Sequence, residues 1–319
     1  MPKIALVHSH DSAIYDEIAR HTPNGFDTVS IDVRRPLNEL VTLATGVEYV
    51  MLSGTELPEE VLRASGPRLL QILSAGWDFL DAGLIRGLEI PVANNGGANS
   101  WAVADHTVLL MLAVYHRLVE ADAATRSGLW RGPLDGTNAF ELAGKTIGVL
   151  GIGNIGRQVA KRVRAFDAEV AYNDVLRLTV DEERELGLAY MGIDDLFRTS
   201  DVVSLHVPLV PETRHLVSRE LLGLMKPSTV IVNTARGALI DESALIEALK
   251  EHRIAGVGLD VFETEPVEPD NPLLKMANVV VTPHSAGSNW DAWSRRAAFG
   301  YANIARVHRG EAPQGLISV

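Results

Sequence analysis

Cysteine is absent from all 319 residues. Its absence excludes disulfides, thiolate metal sites and a cysteine nucleophile, and it suits a reducing, cytoplasmic location. Positive charge is scarce: 29 Lys and Arg face 41 Asp and Glu, a formal net charge of −12. A nucleic-acid backbone or an anionic membrane surface needs a basic partner, so neither is expected here, and an anionic substrate must be met by a few local cations. Long apolar runs are missing too. The longest, Val108–Tyr115, has eight residues, so no membrane span is expected. The N-terminal Met1-Pro-Lys-Ile-Ala-Leu-Val-His reads as a first strand rather than a signal peptide. No internal repeat or low-complexity segment occurs, and no residue set suggests a metal site.

What is present is glycine in a telling place. The segment 144–163 carries Gly151, Gly153 and Gly156 where a short β-branched strand, Thr146–Leu150, becomes a helix with Ile155, Val159, Ala160 and Val163 at helical spacing. Gly151 permits the tight turn, Gly153 lets backbone amides approach a pyrophosphate, and Gly156 lets the helix lie close on the strand. Asn154 and Ile155 open that helix, so their amides belong to the same candidate anion site, favoured by the helix dipole. A second strand, Glu169–Asn173, ends at Asp174. A carboxylate there accepts hydrogen bonds from ribose hydroxyls and repels the extra phosphate of NADP, so NAD is the expected cofactor. Arg177, just beyond, is the one residue that argues for NADP.

Short apolar strands alternate with helical patterns along the whole chain. Ile4–Val7, Thr28–Ile31, Tyr49–Leu52, Leu69–Leu73 and Pro91–Ala93 read as a first series, with helices at Asp11–Arg20, Pro58–Ala64 and Asp81–Arg86. A second series begins at Lys145 and includes Val202–His206, Thr229–Asn233, Ala255–Gly258 and Asn278–Thr282. One long helix, about 100–119, is expected between them, its apolar residues Trp101, Val108, Leu112 and Tyr115 packing the core in preference to a subunit interface. A last helix, roughly 291–308, has no strand after it. The expectation is α/β: two doubly wound parallel-sheet domains with a cleft between them. Residues 1–98 and 288–319 form one, discontinuous, and 99–287 form the Rossmann dinucleotide-binding domain.

Three further strand ends in the second series carry reactive groups. Val230–Asn233 runs into Thr234, Ala235, Arg236 and Gly237, and a guanidinium at a strand's carboxyl end can hold a carboxylate by paired hydrogen bonds. The strand at 256–259 delivers Asp260, Glu263 and Glu265. The strand at 279–282 delivers His284, followed by Gly287. An arginine, an acid and a histidine at strand ends of one sheet can bind an anionic carbonyl compound, donate a proton and orient the donor.

These motifs, together with Leu-Ser-Ala-Gly-Trp-Asp-Phe-Leu-Asp at 73–81, Val-Val-Ser-Leu-His-Val-Pro-Leu at 202–209 and Thr-Pro-His at 282–284, closely resemble the D-isomer-specific 2-hydroxyacid dehydrogenase family, glyoxylate and hydroxypyruvate reductases in particular, over nearly the whole chain. The resemblance implies a Rossmann NAD-binding domain beside a flavodoxin-like substrate domain, usually in a homodimer. It puts the catalytic arginine, glutamate and histidine on Arg236, Glu265 and His284. It also implies that amides of Ala75 and Gly76 hold the substrate carboxylate and that Asp260 touches the nicotinamide carboxamide. His206, Val207, Pro208, Thr213, Thr234, Ala235, Arg236, His284 and Gly287 then complete the cofactor groove begun by Gly151, Gly153, Asn154, Ile155, Gly156 and Asp174. Phe79, where many relatives are polar, and Ser285, where an aliphatic is usual, bear on substrate choice.

The expected chemistry is hydride transfer between nicotinamide and C2 of a small 2-oxo or 2-hydroxy acid. His284 serves as acid or base, Glu265 favours its charged form, and Arg236 steadies the oxygen charge. A second reading keeps the fold but not the turnover: an NAD(H)-sensing corepressor-type binding protein.

Overall fold

The computed structural model describes residues 1–130 and 136–317; the last two residues of the expected 288–319 segment lie outside the described residues. The chain forms two compact units, 1–99 with 288–319, and 100–287.

The first unit contains β1 (Lys3–His8), α1 (Ser12–Ala19), β2 (Asp27–Asp32), α2 (Leu37–Ala44), β3 (Tyr49–Ser53), α3 (Glu59–Ser65), β4 (Leu70–Ile72), α4 (Ala82–Gly87) and β5 (Val92–Ala93). Its sheet is parallel throughout, in the order β2-β1-β3-β4-β5. Because side chains alternate across a strand, Ala5 and Val7 enter one core with Leu40, Val61 and Ile85, while Ile4 and Leu6 enter another with Ile18, Trp293 and Tyr301. The terminal helix of this unit, residues 290–308, therefore covers a sheet face that would otherwise lie bare.

The second unit opens with α5 (Ser100–Tyr115) and α6 (Leu118–Arg126). It continues through β6 (Thr146–Leu150), α7 (Asn154–Arg164), β7 (Glu169–Asn173), α8 (Val180–Leu186), β8 (Leu188–Tyr190), α9 (Ile193–Thr199) and β9 (Val202–Leu205). Then come α10 (Arg219–Leu224), β10 (Val230–Asn233), α11 (Glu242–Lys250), β11 (Gly256–Leu259) and β12 (Val279–Val281). The helix that returns to the first unit is α12 (Trp290–His308). The seven strands are parallel in the order β12-β11-β10-β9-β6-β7-β8, so the winding reverses between β6 and β9. In open sheets of this kind ligands bind at the carboxyl ends beside that reversal.

The long helix expected over 100–119 is two helices. Arg117 adopts the left-handed conformation, φ 50°, and the chain bends by 62° between α5 and α6. The apolar content of the segment hid this break, because nothing in it is a helix breaker. Val108 and Tyr115 are buried as expected, whereas Trp101 and Leu109 are about half exposed. Among the described residues no single helix is long and apolar enough to cross a membrane.

Candidate active site

The glycine turn is built by close approach. Gly151 has φ 96°, and a Cβ on it would lie 2.7 Å from the carbonyl carbon of His206; one on Gly156 would lie 2.1 Å from the Gly151 oxygen. Around Gly153, the N-cap of α7, a Cβ would meet nothing within 4 Å. Open space over the first turn of an eleven-residue helix fits a dinucleotide pyrophosphate, so the residues present suit the implied cofactor.

Asp174 stands at the end of β7, where its Oδ2 accepts the Ile152 amide at 2.7 Å and its Oδ1 the Leu176 amide at 3.0 Å. A carboxylate has about four acceptor sites, so Asp174 can brace the glycine turn and still receive ribose hydroxyls. Arg177, the residue that argued for NADP, is paired with Glu183 at 2.9 Å and stacked over Tyr190 at 4.8 Å.

On the other side of the reversal, the His206 amide donates to the Leu150 carbonyl at 2.7 Å, and the ring bonds the buried Ser204 hydroxyl at 2.8 Å. Burial pushes the His206 pKa down to about 3, so the ring is neutral in ordinary buffers. Thr213 donates to the Pro208 carbonyl at 2.7 Å and accepts from the Val210 amide at 2.9 Å, fixing the loop that follows Val207.

Beyond β10, buried Asn233 ties the chain together: its Oδ1 accepts the Ala235 amide and its Nδ2 donates to the Arg236 carbonyl, at 3.0 and 2.8 Å. Thr234 bonds Thr107 of α5 at 2.9 Å, and Arg236 donates from its guanidinium to the Ala235 carbonyl at 2.8 Å. Next to it, a Cβ on Gly237 would sit 1.9 Å from the carbonyl carbon of Phe262. Backbone thus packs on backbone, and the segment bearing Arg236 lies against the segment leading to Glu265.

His284 is in the left-handed region, φ 52°, with its amide donating to the Asp260 carbonyl at 2.7 Å. Its Nδ1 lies 2.7 Å from Glu265 Oε2, and Glu265 Oε1 accepts the Phe262 amide at 2.9 Å. Partial burial pushes the Glu265 pKa up, but the hydrogen bonds from His284 and Phe262 and the charges of His284 and Arg236 outweigh it and hold the group below its ordinary value. A carboxylate can only accept, so Nδ1 carries a proton. Nε2 has no partner among the described residues.

Asp260 is fully buried and accepts from the Thr282 hydroxyl and from the amides of Ser285 and Ala286, the latter two at 2.9 and 2.8 Å. It thereby holds the 282–286 turn that presents His284. His106 of α5 bonds Thr282 at 2.9 Å and approaches Asp260 at 3.6 Å. Neither His106 nor Asn233 stood out in the sequence. Their partners lie at strand ends remote in sequence or in the following turn, and no motif marks them. Glu263, the other acid of its segment, pairs with His215 at 2.7 Å instead of with His284. Gly287 closes the same turn and is part-buried.

In the first unit, the turn after β4 uses its carbonyls and not its amides. Ser74 donates to the Gly76 carbonyl at 2.8 Å and Asn94 to the Ala75 carbonyl at 3.2 Å. The amides of Ala75 and Gly76 have no acceptor among the described residues. Trp77 packs into the core of this unit, while Trp290 is exposed at the start of α12.

Comparison with known proteins identifies the family. Residues 108–286 match the NAD-binding domain of the D-isomer-specific 2-hydroxyacid dehydrogenases. The chain is 40% identical over 253 residues to a glyoxylate reductase of Korarchaeum cryptofilum, spanning 79% of this chain and 76% of that one. It is 36% identical over 315 residues to a glyoxylate reductase of Aeropyrum pernix, spanning 97% and 90%. Among solved structures, the apo form of D-lactate dehydrogenase from Escherichia coli superposes with a TM-score of 0.83 at 29% identity, covering 99% of this chain and all of that one. The chain belongs to the D-isomer-specific 2-hydroxyacid dehydrogenase family. It is an NAD-dependent oxidoreductase acting on the CH–OH group of 2-hydroxy acids, and the corepressor reading is not favoured.

Proposed function

We propose that the protein works in the cytoplasm as a homodimeric 2-oxoacid reductase, with glyoxylate, hydroxypyruvate or a close homologue as substrate and His284 as the proton donor. The observation that carries the reading is the His284 Nδ1 to Glu265 Oε2 bond of 2.7 Å with Nε2 left open. Bound nicotinamide supplies the hydride. Gly151, Gly153, Asn154, Ile155 and Gly156 hold the phosphates, and Asp174 holds the ribose. His206 to Pro208, Thr213, Thr234, Ala235 and Gly287 line the rest of the groove, with Asp260 framing it beneath His284. Arg236 binds the substrate's carboxylate and carbonyl oxygens through its planar fork. As charge grows on the carbonyl oxygen, His284 gives up the proton on Nε2, while Glu265 holds the ring in place through its Nδ1–H. Ala75 and Gly76, in their own unit, offer two unpaired amides suited to a carboxylate. Relatives named glyoxylate reductase support the substrate class.

The test is a panel of 2-oxo acids followed by NADH or NADPH oxidation. Turnover with NADH in preference to NADPH is expected, and His284→Ala lowers kcat by about a hundredfold or more while NADH binding persists. An alanine variant as active as the parent removes His284 from the chemistry.

A further inference from the structure

A second histidine in the first unit is placed for chemistry that the catalytic set does not use. His10 follows β1, and its Nε2 bonds the fully buried Ser53 hydroxyl at the end of β3, 2.8 Å away. The ring edge meets Trp293 at a centroid distance of 4.7 Å, and its Cε1 would lie 3.3 Å from a Cβ on Gly54. Its amide is held by His8 Nδ1 at 3.2 Å and its carbonyl by Arg34 at 3.2 Å, so the backbone of this loop is tied down. Nδ1, in contrast, has no partner among the described residues, although the ring is part-buried.

The sheet sets where that nitrogen can act. Leu52 pairs with Ile72, and the Leu73 amide donates to the Leu52 carbonyl at 2.9 Å, so Ser53 and Gly54 run beside Leu73 and Ser74. Strands are about 4.8 Å apart, which puts the His10 ring, lying against Gly54, about one strand from the Ala75–Gly76 turn. A carboxylate held on those two amides carries its C3 about 2.5 Å further on, two carbon–carbon bonds of about 1.5 Å. A C3 substituent directed toward the β3 side of the turn then falls between the turn and the ring.

We infer that His10, oriented by Ser53, is a specificity-determining residue that reads a hydroxyl group on C3 of the 2-oxo acid. The inference rests on the proposed 2-oxoacid reduction. The chemistry of the pair selects a hydroxyl. Burial above all, with the charge of Arg296 adding to it, pushes the His10 pKa down to about 4, so the ring is neutral and has one donor and one acceptor nitrogen. If Ser53 donates to Nε2, Nδ1–H is a donor; if Nε2–H donates to Ser53, Nδ1 is an acceptor. A hydroxyl is both donor and acceptor and satisfies either tautomer, whereas a methyl group leaves a part-buried nitrogen unpaired.

Hydroxypyruvate and pyruvate differ by this one oxygen, so the ratio of their kcat/KM values tests the inference. The parent enzyme favours hydroxypyruvate. His10→Phe, which keeps a ring beside Trp293 and loses the nitrogens, lowers the ratio about tenfold or more with little change for pyruvate, and Ser53→Ala lowers it less. Urea unfolding of both variants monitors folding, and Ser53→Ala carries the test alone if His10→Phe does not fold. An unmoved ratio, an equal loss for both substrates, or a parent without preference overturns the role of His10. A parent that reduces no 2-oxo acid at all overturns the functional reading beneath it.

Discussion

Glu263 and Glu265 leave the same strand two residues apart, and only one of them reaches His284. From the sequence both are acids at a strand end, and the family resemblance alone preferred Glu265. The structure gives the reason, because His215, itself left-handed at φ 52°, takes Glu263 at 2.7 Å. Asp260 shows the opposite limit. It read as one more strand-end acid, which the resemblance put against the nicotinamide carboxamide, yet it is fully buried and spends its oxygens on the turn beneath His284. Such roles depend on which donors converge in space, and sequence spacing does not report that. The Glu265 contact makes a prediction. Glu265→Gln removes the anion facing Nδ1, which orients the ring and steadies its charge during proton transfer, so kcat for reduction falls by about tenfold or more while NADH binding persists. Adding Glu265→Gln to His284→Ala costs little further turnover, since both serve one proton transfer. A kcat unmoved by the single change rules the pair out.

At the scale of elements, the strands were legible because parallel strands covered on both faces are short apolar runs, and all eleven read from the sequence recur within two residues of their expected limits. β8 was not read: Leu188–Tyr190 is three residues long, too short to show a period. The break at Arg117 escaped for a different reason, since a single left-handed residue in an apolar helical pattern leaves no mark on composition. Apolar surface flanks that break. Trp101 and Leu109 on α5 and Leu118 and Val119 on α6 are 52, 50, 51 and 60% exposed, more apolar surface than two helices of a monomer need to show. If a second copy covers it, sedimentation gives about twice the chain mass of 34.6 kDa, and Leu109→Lys shifts the protein toward the monomer. A parent that sediments as a monomer overturns the homodimer.

For the molecule as a whole, the acidic composition forecast where positive charge would be rationed, and three histidines follow that economy by staying neutral. Burial lowers the pKa of His8, lowers that of His10 to about 4 and lowers that of His206 to about 3, from an ordinary value of 6.5. In the unfolded chain all three titrate near 6.5, so below that pH the unfolded state binds protons that the folded state refuses. The sign follows: the stability that these groups leave intact above pH 6.5 is lost progressively as the pH falls toward their folded values. Carboxylates contribute little in the upper part of this window, because their ordinary values lie near 4. The urea midpoint is therefore expected to fall between pH 7 and pH 5, with about two or more protons taken up by these rings on unfolding near pH 5.5. His10→Phe removes one of these sites and flattens the slope, whereas substitution of an exposed histidine such as His252 leaves it unchanged. A midpoint that is level or rises across this range shows that the three rings are charged in the folded protein.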